Sequence, residues 1–155
     1  MPSRCFLGAA AALLATTPAA SSIPGAKPIL GYNSYNDVAC SPNATWLSQT
    51  IHALDAKGLI DAGYTYFQPD CGWQGFERLP NNSITYDESR FPNGIQPIAD
   101  EARAHGMKFS LYTDQGVHSC DTEVPGRRIG SLGYEEEDAR MFEMWGVEYV
   151  KVSID

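Results

Sequence analysis

The sequence predicts an α/β fold with parallel strands, the N-terminal half of a (β/α)8 TIM barrel that stays incomplete in this chain. A unit of amphipathic helix, glycine, apolar strand and aspartate recurs about every 40 residues, and such alternation gives parallel strands joined by right-handed crossovers. The stretches that follow the strands, 72–93 and 115–133, are long, whereas the helix-to-strand connections are short, as in barrel enzymes.

The length sets the extent of the predicted barrel. A whole barrel needs about 250 residues, and these 155 residues provide four predicted strands and three clear helices. A doubly wound sheet also fits the alternation, but it predicts a glycine-rich phosphate motif after the first strand. The stretch Gly31-Tyr-Asn-Ser-Tyr35 is not such a motif.

Each predicted helix has a recognisable start or stop. The first begins at Ser41-Pro42, an N-cap and first-turn pair, and ends at Gly58. Its apolar residues recur at helical spacing: Trp46, Leu47, Ile51 and Leu54. The second spans about 94–105, and the third begins near Tyr134, where an acidic first turn complements the helix dipole. Strands are predicted at 28–32, 64–67, 107–112 and 147–152.

The N-terminus has the layout of a secretory signal peptide, predicted over residues 1–21. Arg4 precedes a short apolar run over 5–15, and small residues follow over 17–21. The run is too short to span a bilayer; a buried helix of the mature fold is the alternative. We therefore expect a secreted protein whose residues 22–155 form one part of a barrel. A net charge of −8 argues against nucleic acid or an anionic membrane as partner.

Secretion changes how the cysteines and asparagines are interpreted. Without Cys5, three cysteines remain (Cys40, Cys71 and Cys120), an odd number in an oxidising compartment. One of the three therefore has an intermolecular partner, has lost its partner, or is a thiol. Two N-glycosylation sequons, at Asn43 and Asn81, suit the surface loops of a secreted protein.

Two aspartates, Asp70 and Asp114, follow successive predicted strands, where barrel enzymes place their sites. Aromatic residues are expected to cluster with them at the mouth of a pocket: Tyr32, Tyr35, Trp73 and Tyr112. Aromatic rings pack against the C–H face of a sugar, and carboxylates accept hydrogen bonds from its hydroxyls. The sequence thus predicts a sugar site, with turn formation as the alternative role of each aspartate.

Lys151 is placed on the same strand face as Ser153 and Asp155 by the period of two. Inside a barrel such a lysine needs a carboxylate or a ligand; on an edge strand it would face water. His52, His105 and His118 lack the spacing of metal ligands, so we expect no metal and no cofactor.

Six stretches of the sequence resemble the family 27 glycoside hydrolases, the α-galactosidases and α-N-acetylgalactosaminidases. They cover about residues 29–151 in order: Leu30-Gly-Tyr-Asn-Ser-Tyr35, Gly63 to Trp73, Phe91-Pro-Asn-Gly-Ile95, Leu111-Tyr-Thr-Asp-Gln-Gly116, Gly130-Ser-Leu-Gly-Tyr134 and Trp145 to Lys151. The second stretch is most similar to that of fungal members. The family removes terminal α-galactose with retention, through two aspartates and a covalent intermediate, which agrees with retaining geometry.

The resemblance implies roles for individual residues. It gives Tyr35, Asp70, Tyr112 and Lys151 to the galactose pocket, which would take an α-galactoside oligosaccharide or polysaccharide. It pairs Cys40 with Cys71 in a disulfide. The family partner of Cys120 is a cysteine just after the nucleophile, so its absence predicts that Cys120 stands outside an intramolecular disulfide.

Two departures from the family pattern bear on catalysis. The stretch Asp70-Cys71-Gly72-Trp73 replaces the commoner Asp-Asp-Cys-Trp, so one sugar-binding carboxylate is missing or shifted. Ser153 occupies the nucleophile position, with Asp155 as the alternative nucleophile, and the acid/base aspartate lies later in the family. We expect no catalytic residue in this chain and no activity of the chain alone. The last four residues are interpreted as a truncation or as translated intron.

Several functions remain open at this point. The chain is interpreted as part of an α-galactosidase, with an α-N-acetylgalactosaminidase as the alternative within the same class. It could instead be a non-catalytic galactose-binding remnant that keeps Asp70 and Lys151, or a fragment that does not fold stably by itself.

Overall fold

The structure, a computed structural model, describes residues 28–154. The predicted signal peptide over 1–21, Cys5 and Asp155 lie outside the described residues. The strands are β1 (Gly31–Asn33), β2 (Tyr66–Gln68), β3 (Lys108–Asp114) and β4 (Tyr149–Ser153). The helices are α1 (Tyr35–Val38), α2 (Ala44–Ala56), α3 (Gln96–Ala104) and α4 (Glu135–Trp145). None of the helices within 28–154 has the length and apolarity that a bilayer crossing requires.

The four strands form one parallel sheet in chain order, β1-β2-β3-β4. The predicted α/β class with parallel strands is confirmed. In the longest pairing, Tyr112 lies level with Lys151 and Asp114 lies level with Ser153. Because all strands run the same way, their carboxyl ends and the long segments that follow them meet at one edge of the sheet.

The start of α2 corrects the prediction that placed its N-cap at Ser41. The N-cap is Asn43, whose backbone is extended and whose side-chain oxygen accepts a hydrogen bond from the Trp46 amide at 2.9 Å. An asparagine caps a helix as well as a serine does, and Ser41-Pro42 instead forms the approach to the cap. The one-turn helix α1 was not predicted, because four residues are too few to show a helical period.

The core lies between one face of the sheet and the helices. The strands contribute Phe67, Phe109 and Leu111, and the helices contribute Leu47, Ile51, Ala99, Ala102, Phe142 and Trp145. Trp73 is fully buried here, with its ring against Phe142 and Trp145, and its indole nitrogen donates to the Tyr112 carbonyl at 2.9 Å. The opposite face of the sheet therefore remains for polar side chains.

Two arginines, Arg78 and Arg128, fasten through ion pairs the long segments after β2 and β3, which we call the β2 loop (69–95) and the β3 loop (115–134). Arg128 of the β3 loop bonds Asp121 at 2.7 Å within the same loop and Asp87 of the β2 loop at 2.8 Å. Arg78 of the β2 loop bonds Asp138 of α4 at 2.5 Å and the Gly130 carbonyl at 2.7 Å. These contacts fix the loops that border the carboxyl edge of the sheet.

Candidate active site

A pocket of about 180 Å³ opens at the carboxyl edge of the sheet. Its lining consists of Tyr35, Asp70, Cys71, Tyr112, Cys120, Thr122, Lys151 and Ser153. The four residues predicted to bind galactose are thus brought together, one from the segment after each of β1 and β2 and one from each of β3 and β4. The volume is below the roughly 300–1,000 Å³ of sites for drug-sized ligands, so the pocket suits one small ring.

An ion pair between Lys151 and Asp70 crosses this pocket. The Lys151 Nζ lies 2.7 Å from Asp70 Oδ2 and 5.2 Å from the centre of the Tyr112 ring. Asp70 is 2% exposed, whereas the Lys151 side chain is 43% exposed. The buried carboxylate has the cation it needs, and the Lys151 side chain remains partly exposed at the pocket, where a ligand can contact it.

The Asp70 carboxylate receives two further hydrogen bonds. Its Oδ1 accepts from the Cys71 amide at 3.0 Å, and its Oδ2 accepts from Asn33 Nδ2 at 2.7 Å. The Asp70 amide donates to Ser34 Oγ at 2.9 Å. A carboxylate has about four acceptor directions, so three donors leave it the capacity to accept one more, such as a sugar hydroxyl.

The second predicted aspartate, Asp114, has a different role. It is almost fully buried and is absent from the pocket lining. Its Oδ1 accepts from the Gly116 amide at 2.7 Å, and its Oδ2 accepts from the Tyr112 hydroxyl at 3.1 Å. Asp114 therefore forms the turn after β3 and orients Tyr112, which is the turn-forming role that the sequence left open.

The Tyr112 hydroxyl is held protonated by its surroundings. Burial raises the pKa of Tyr112 well above its ordinary value, and the Asp114 carboxylate raises this pKa further, while a hydrogen bond with Ser153 acts in the opposite direction. A protonated phenol both donates and accepts. Tyr112 thus supplies a neutral polar group at the pocket wall.

Two of the aromatic residues predicted near the sugar, Tyr32 and Trp73, face the core instead. The Tyr32 ring stacks on Phe67 with centroids 5.4 Å apart and tilts against Trp46 at 6.0 Å. Side chains alternate along a strand, so Tyr32 points away from the face that carries Asn33. The alternation does not apply to Tyr35, because Tyr35 is the first residue of α1. Its side chain is exposed at the pocket.

The disulfide predicted between Cys40 and Cys71 is confirmed. It joins Cys40, two residues beyond the end of α1, to Cys71, the residue after Asp70, and the two are 31 positions apart in the sequence. Cys120 is exposed beside it, and the Thr122 amide donates to Cys40 Sγ at 3.4 Å. Cys71 of the disulfide therefore lines the pocket together with Cys120 and Thr122.

Gly72, which distinguishes this chain from the commoner motif, is required at its position for a steric reason. Gly72 has a φ of +90°, and a Cβ added there would lie 1.9 Å from the Cys40 carbonyl oxygen. The turn after the disulfide thus accepts only glycine. The departure Asp70-Cys71-Gly72-Trp73 is consistent with a backbone that runs against Cys40 at this point.

Ser153, the last residue of β4, lines the pocket two residues beyond Lys151. Among the lining residues within 28–154, Asp70 is the one carboxylate. A retaining glycosidase needs two carboxyl groups, one as nucleophile and one as acid/base. The described pocket has the polar and aromatic groups of a sugar site, and its carboxylate is already paired with Lys151.

Comparison with known proteins gives the family. A family profile described as Alpha galactosidase A matches residues 34–154. The chain belongs to this family. The probable alpha-galactosidase of Dictyostelium discoideum is 39% identical over 138 residues, which are 89% of this chain and 34% of that protein. The crystal structure of alpha-galactosidase I from Mortierella vinacea matches with a TM-score of 0.76 and 33% identity, covering 82% of this chain and 31% of that chain.

A further alpha-galactosidase structure, from Saccharomyces cerevisiae with raffinose, matches with a TM-score of 0.75 and 32% identity. The match covers 82% of this chain and 27% of that chain. The resemblance drawn from the sequence motifs is therefore confirmed, and so is the predicted enzyme class of the family, a glycosidase. The chain spans between about a fifth and a third of the length of the relatives it matches.

Proposed function

We propose that this chain provides the galactose-binding side of a retaining α-galactosidase that hydrolyses terminal α-D-galactose residues of oligosaccharides or polysaccharides. The contact between Lys151 and Asp70 in a pocket bordered by Tyr35 and Tyr112 carries the proposal. Ammonium and carboxylate groups recognise sugar hydroxyls by hydrogen bonds, and aromatic rings cover the C–H face.

None of the residues that line this pocket is assigned the role of nucleophile or of acid/base. With Ser153 at the position that the family pattern gives to the nucleophile, the pocket contains no second carboxylate within 28–154 for a covalent intermediate. The 155-residue chain is therefore proposed to bind galactose and to leave α-galactosides intact.

We expect Lys151→Met to reduce galactose affinity at least about tenfold, because hydrogen bonds to a charged group contribute roughly 1.5–3 kcal/mol each. The measurement is ligand-observed NMR titration of the 155-residue chain with galactose, N-acetylgalactosamine and glucose. Lys108→Met is the matched control, since Lys108 is exposed at the opposite end of β3, and it should bind galactose as the parent does.

A chromogenic α-galactoside assay on the same samples tests the absence of turnover. Galactose binding without hydrolysis supports the proposal, and turnover would refute the part that concerns the nucleophile. Tighter binding of N-acetylgalactosamine than of galactose would favour the alternative substrate class. A chain that shows a cooperative thermal transition by circular dichroism but binds neither sugar contradicts the proposal, and the absence of any transition favours the non-folding alternative.

We also propose that the protein is secreted, after removal of residues 1–21, and is glycosylated at Asn43 and Asn81. Both asparagines are exposed, and the Cys40–Cys71 disulfide suits an oxidising compartment. The Asn43 side-chain oxygen caps α2, and the cap does not use the side-chain nitrogen, the atom that carries a glycan.

Expression in a eukaryotic secretory host should give a protein in the medium that loses two glycans on treatment with an N-glycan amidase. Asn43→Gln and Asn81→Gln should each remove one step of the gel shift. Asn36→Gln, at an exposed asparagine outside any sequon, should keep both steps. Retention of the protein inside the cell, or an unglycosylated product in the medium, would contradict this proposal.

A further inference from the structure

Asn33, the last residue of β1, contacts two of the residues proposed to bind galactose. Its Nδ2 donates to Asp70 Oδ2 at 2.7 Å and to Gln68 Oε1 at 2.9 Å, and its Oδ1 accepts from the Tyr35 amide at 2.9 Å. Both partners of the nitrogen are acceptors and the partner of the oxygen is a donor, so the orientation of the amide is fixed by its surroundings.

The two donors on Asp70 Oδ2 differ in stiffness. Asn33 is a short, neutral side chain held on three sides, whereas Lys151 is a long side chain with a partly exposed ammonium group. Rotation of an aspartate carboxylate about its last bond is soft. The Asn33 amide on Oδ2 and the Cys71 amide on Oδ1 therefore constrain the orientation of the Asp70 carboxylate more than Lys151 does.

We propose that Asn33 is a positioning residue of the pocket, which orients the Asp70 carboxylate and the start of α1 at Tyr35 for a sugar. The inference rests on the proposed function, because it concerns the same site. Asn33 does not line the pocket itself and acts through Asp70 and Tyr35. The charged groups that face its amide are Asp70 and, on the far side of Asp70, Lys151.

The substitution Asn33→Asp tests the inference because it keeps the shape and the acceptor for the Tyr35 amide. It replaces the donor that faces Asp70 with a second carboxylate oxygen. At neutral pH the two carboxylates repel each other, and galactose affinity should fall at least about tenfold, the loss expected for a hydrogen bond to a charged group. At acid pH the pair shares a proton, a donor is restored, and affinity should return to within about threefold of the parent at the same pH.

The control and the second variant separate positioning from folding. Asn36→Asp adds the same charge at an exposed site of α1 and should bind galactose as the parent does at each pH. Asn33→Ala removes the donor without adding charge, so its affinity should fall at both neutral and acid pH. Equal affinity losses of Asn33→Asp at neutral and acid pH, with the thermal transition intact, would overturn the inference.

A measurement without sugar distinguishes this inference from the proposed function. The carbon-13 resonance of the Asp70 carboxyl group, followed against pH, should show a second coupled step in Asn33→Asp and none in Asn36→Asp. In Asn33→Ala the same resonance should shift at neutral pH. Unchanged Asp70 resonances in both Asn33 variants would overturn the positioning role even if galactose binds. Changed resonances in a protein that binds no galactose would refute the proposed function and leave the positioning role intact.

Discussion

Replacement of Arg128 by methionine is expected to lower the free energy of unfolding by about 3–5 kcal/mol, the cost of breaking a buried ion pair from one side. The Arg128 side chain is 2% exposed and bonds Asp121, Asp87 and the Gln74 carbonyl. Methionine fills similar space but removes the cation beside the buried Asp121 carboxylate and leaves Asp87 only Arg90, whose Nε lies 3.6 Å from Asp87 Oδ2. The measurement is urea unfolding followed by tryptophan fluorescence, which reports on the buried Trp73.

Arg127→Met is the matched control for this prediction. Arg127 is the preceding residue, is exposed, and has its guanidinium 5.6 Å from the Phe76 ring centre. Its replacement should change the free energy of unfolding by less than about 1 kcal/mol, as for an exposed cation–π contact. If both variants lost the same stability, the β2 and β3 loops would not depend on the buried ion pairs.

The pH dependence of the Arg128→Met effect follows from Asp87. Burial by itself raises the pKa of Asp87, but hydrogen bonds from Ser89 and Arg128 and the charge of Arg128 outweigh it, so the pKa lies below its ordinary value. A lowered folded-state pKa contributes stability above the unfolded value, about pH 4, and this stability is lost as the pH falls through the folded-state pKa. The difference between parent and Arg128→Met should therefore be largest above pH 4 and shrink below it.

The fold could be predicted from the sequence because its signals are local. Helical spacing over α2, the acidic start of α4 and the glycines that end the helices each lie within one element. The boundary of α2 was wrong because two capping sequences, Ser41-Pro42 and Asn43, stand side by side, and only the backbone conformation selects Asn43. The one-turn helix α1 has no period to detect.

The site could be predicted in part. Asp70 and Asp114 each follow a predicted strand, so the sequence treats them alike, although in the structure Asp114 is the last residue of β3 and Asp70 lies two residues beyond β2. The structure separates them because Lys151 lies across from Asp70, while Asp114 has the Gly116 amide and the Tyr112 hydroxyl beside it. Partners of this kind are distant in the sequence or are brought close only by a turn, so the sequence does not reveal them. The contacts of Asn33 are of the same kind. Strand alternation could have placed Asn33 on the pocket face, since Gly31 and Asn33 share it.

Removal of the disulfide by the double substitution of Cys40 and Cys71 with alanine is expected to cost about 3–4 kcal/mol. The bridge closes a segment of 31 residues, and the loss of chain entropy in the unfolded state increases with loop length to about this value. Urea unfolding of the oxidised parent, with and without a phosphine reductant, measures the effect. The reductant should lower the stability of the parent to that of the double variant and leave the double variant unchanged.

The same double substitution should lower the galactose affinity even at temperatures where the protein remains folded. Cys71 follows Asp70, and its amide donates a hydrogen bond to the Asp70 carboxylate. Arg90 donates hydrogen bonds to the carbonyls of Cys40 at 2.5 Å and Gly72 at 2.9 Å. With the bridge gone, Arg90 still holds both carbonyls, so the turn persists while the orientation of Asp70 loosens. The expected result is a lower galactose affinity at temperatures well below the thermal transition. An affinity equal to that of the parent there would show that the remaining contacts, those of Arg90 with the turn and of Asn33 with the carboxylate, keep Asp70 in place without the bridge.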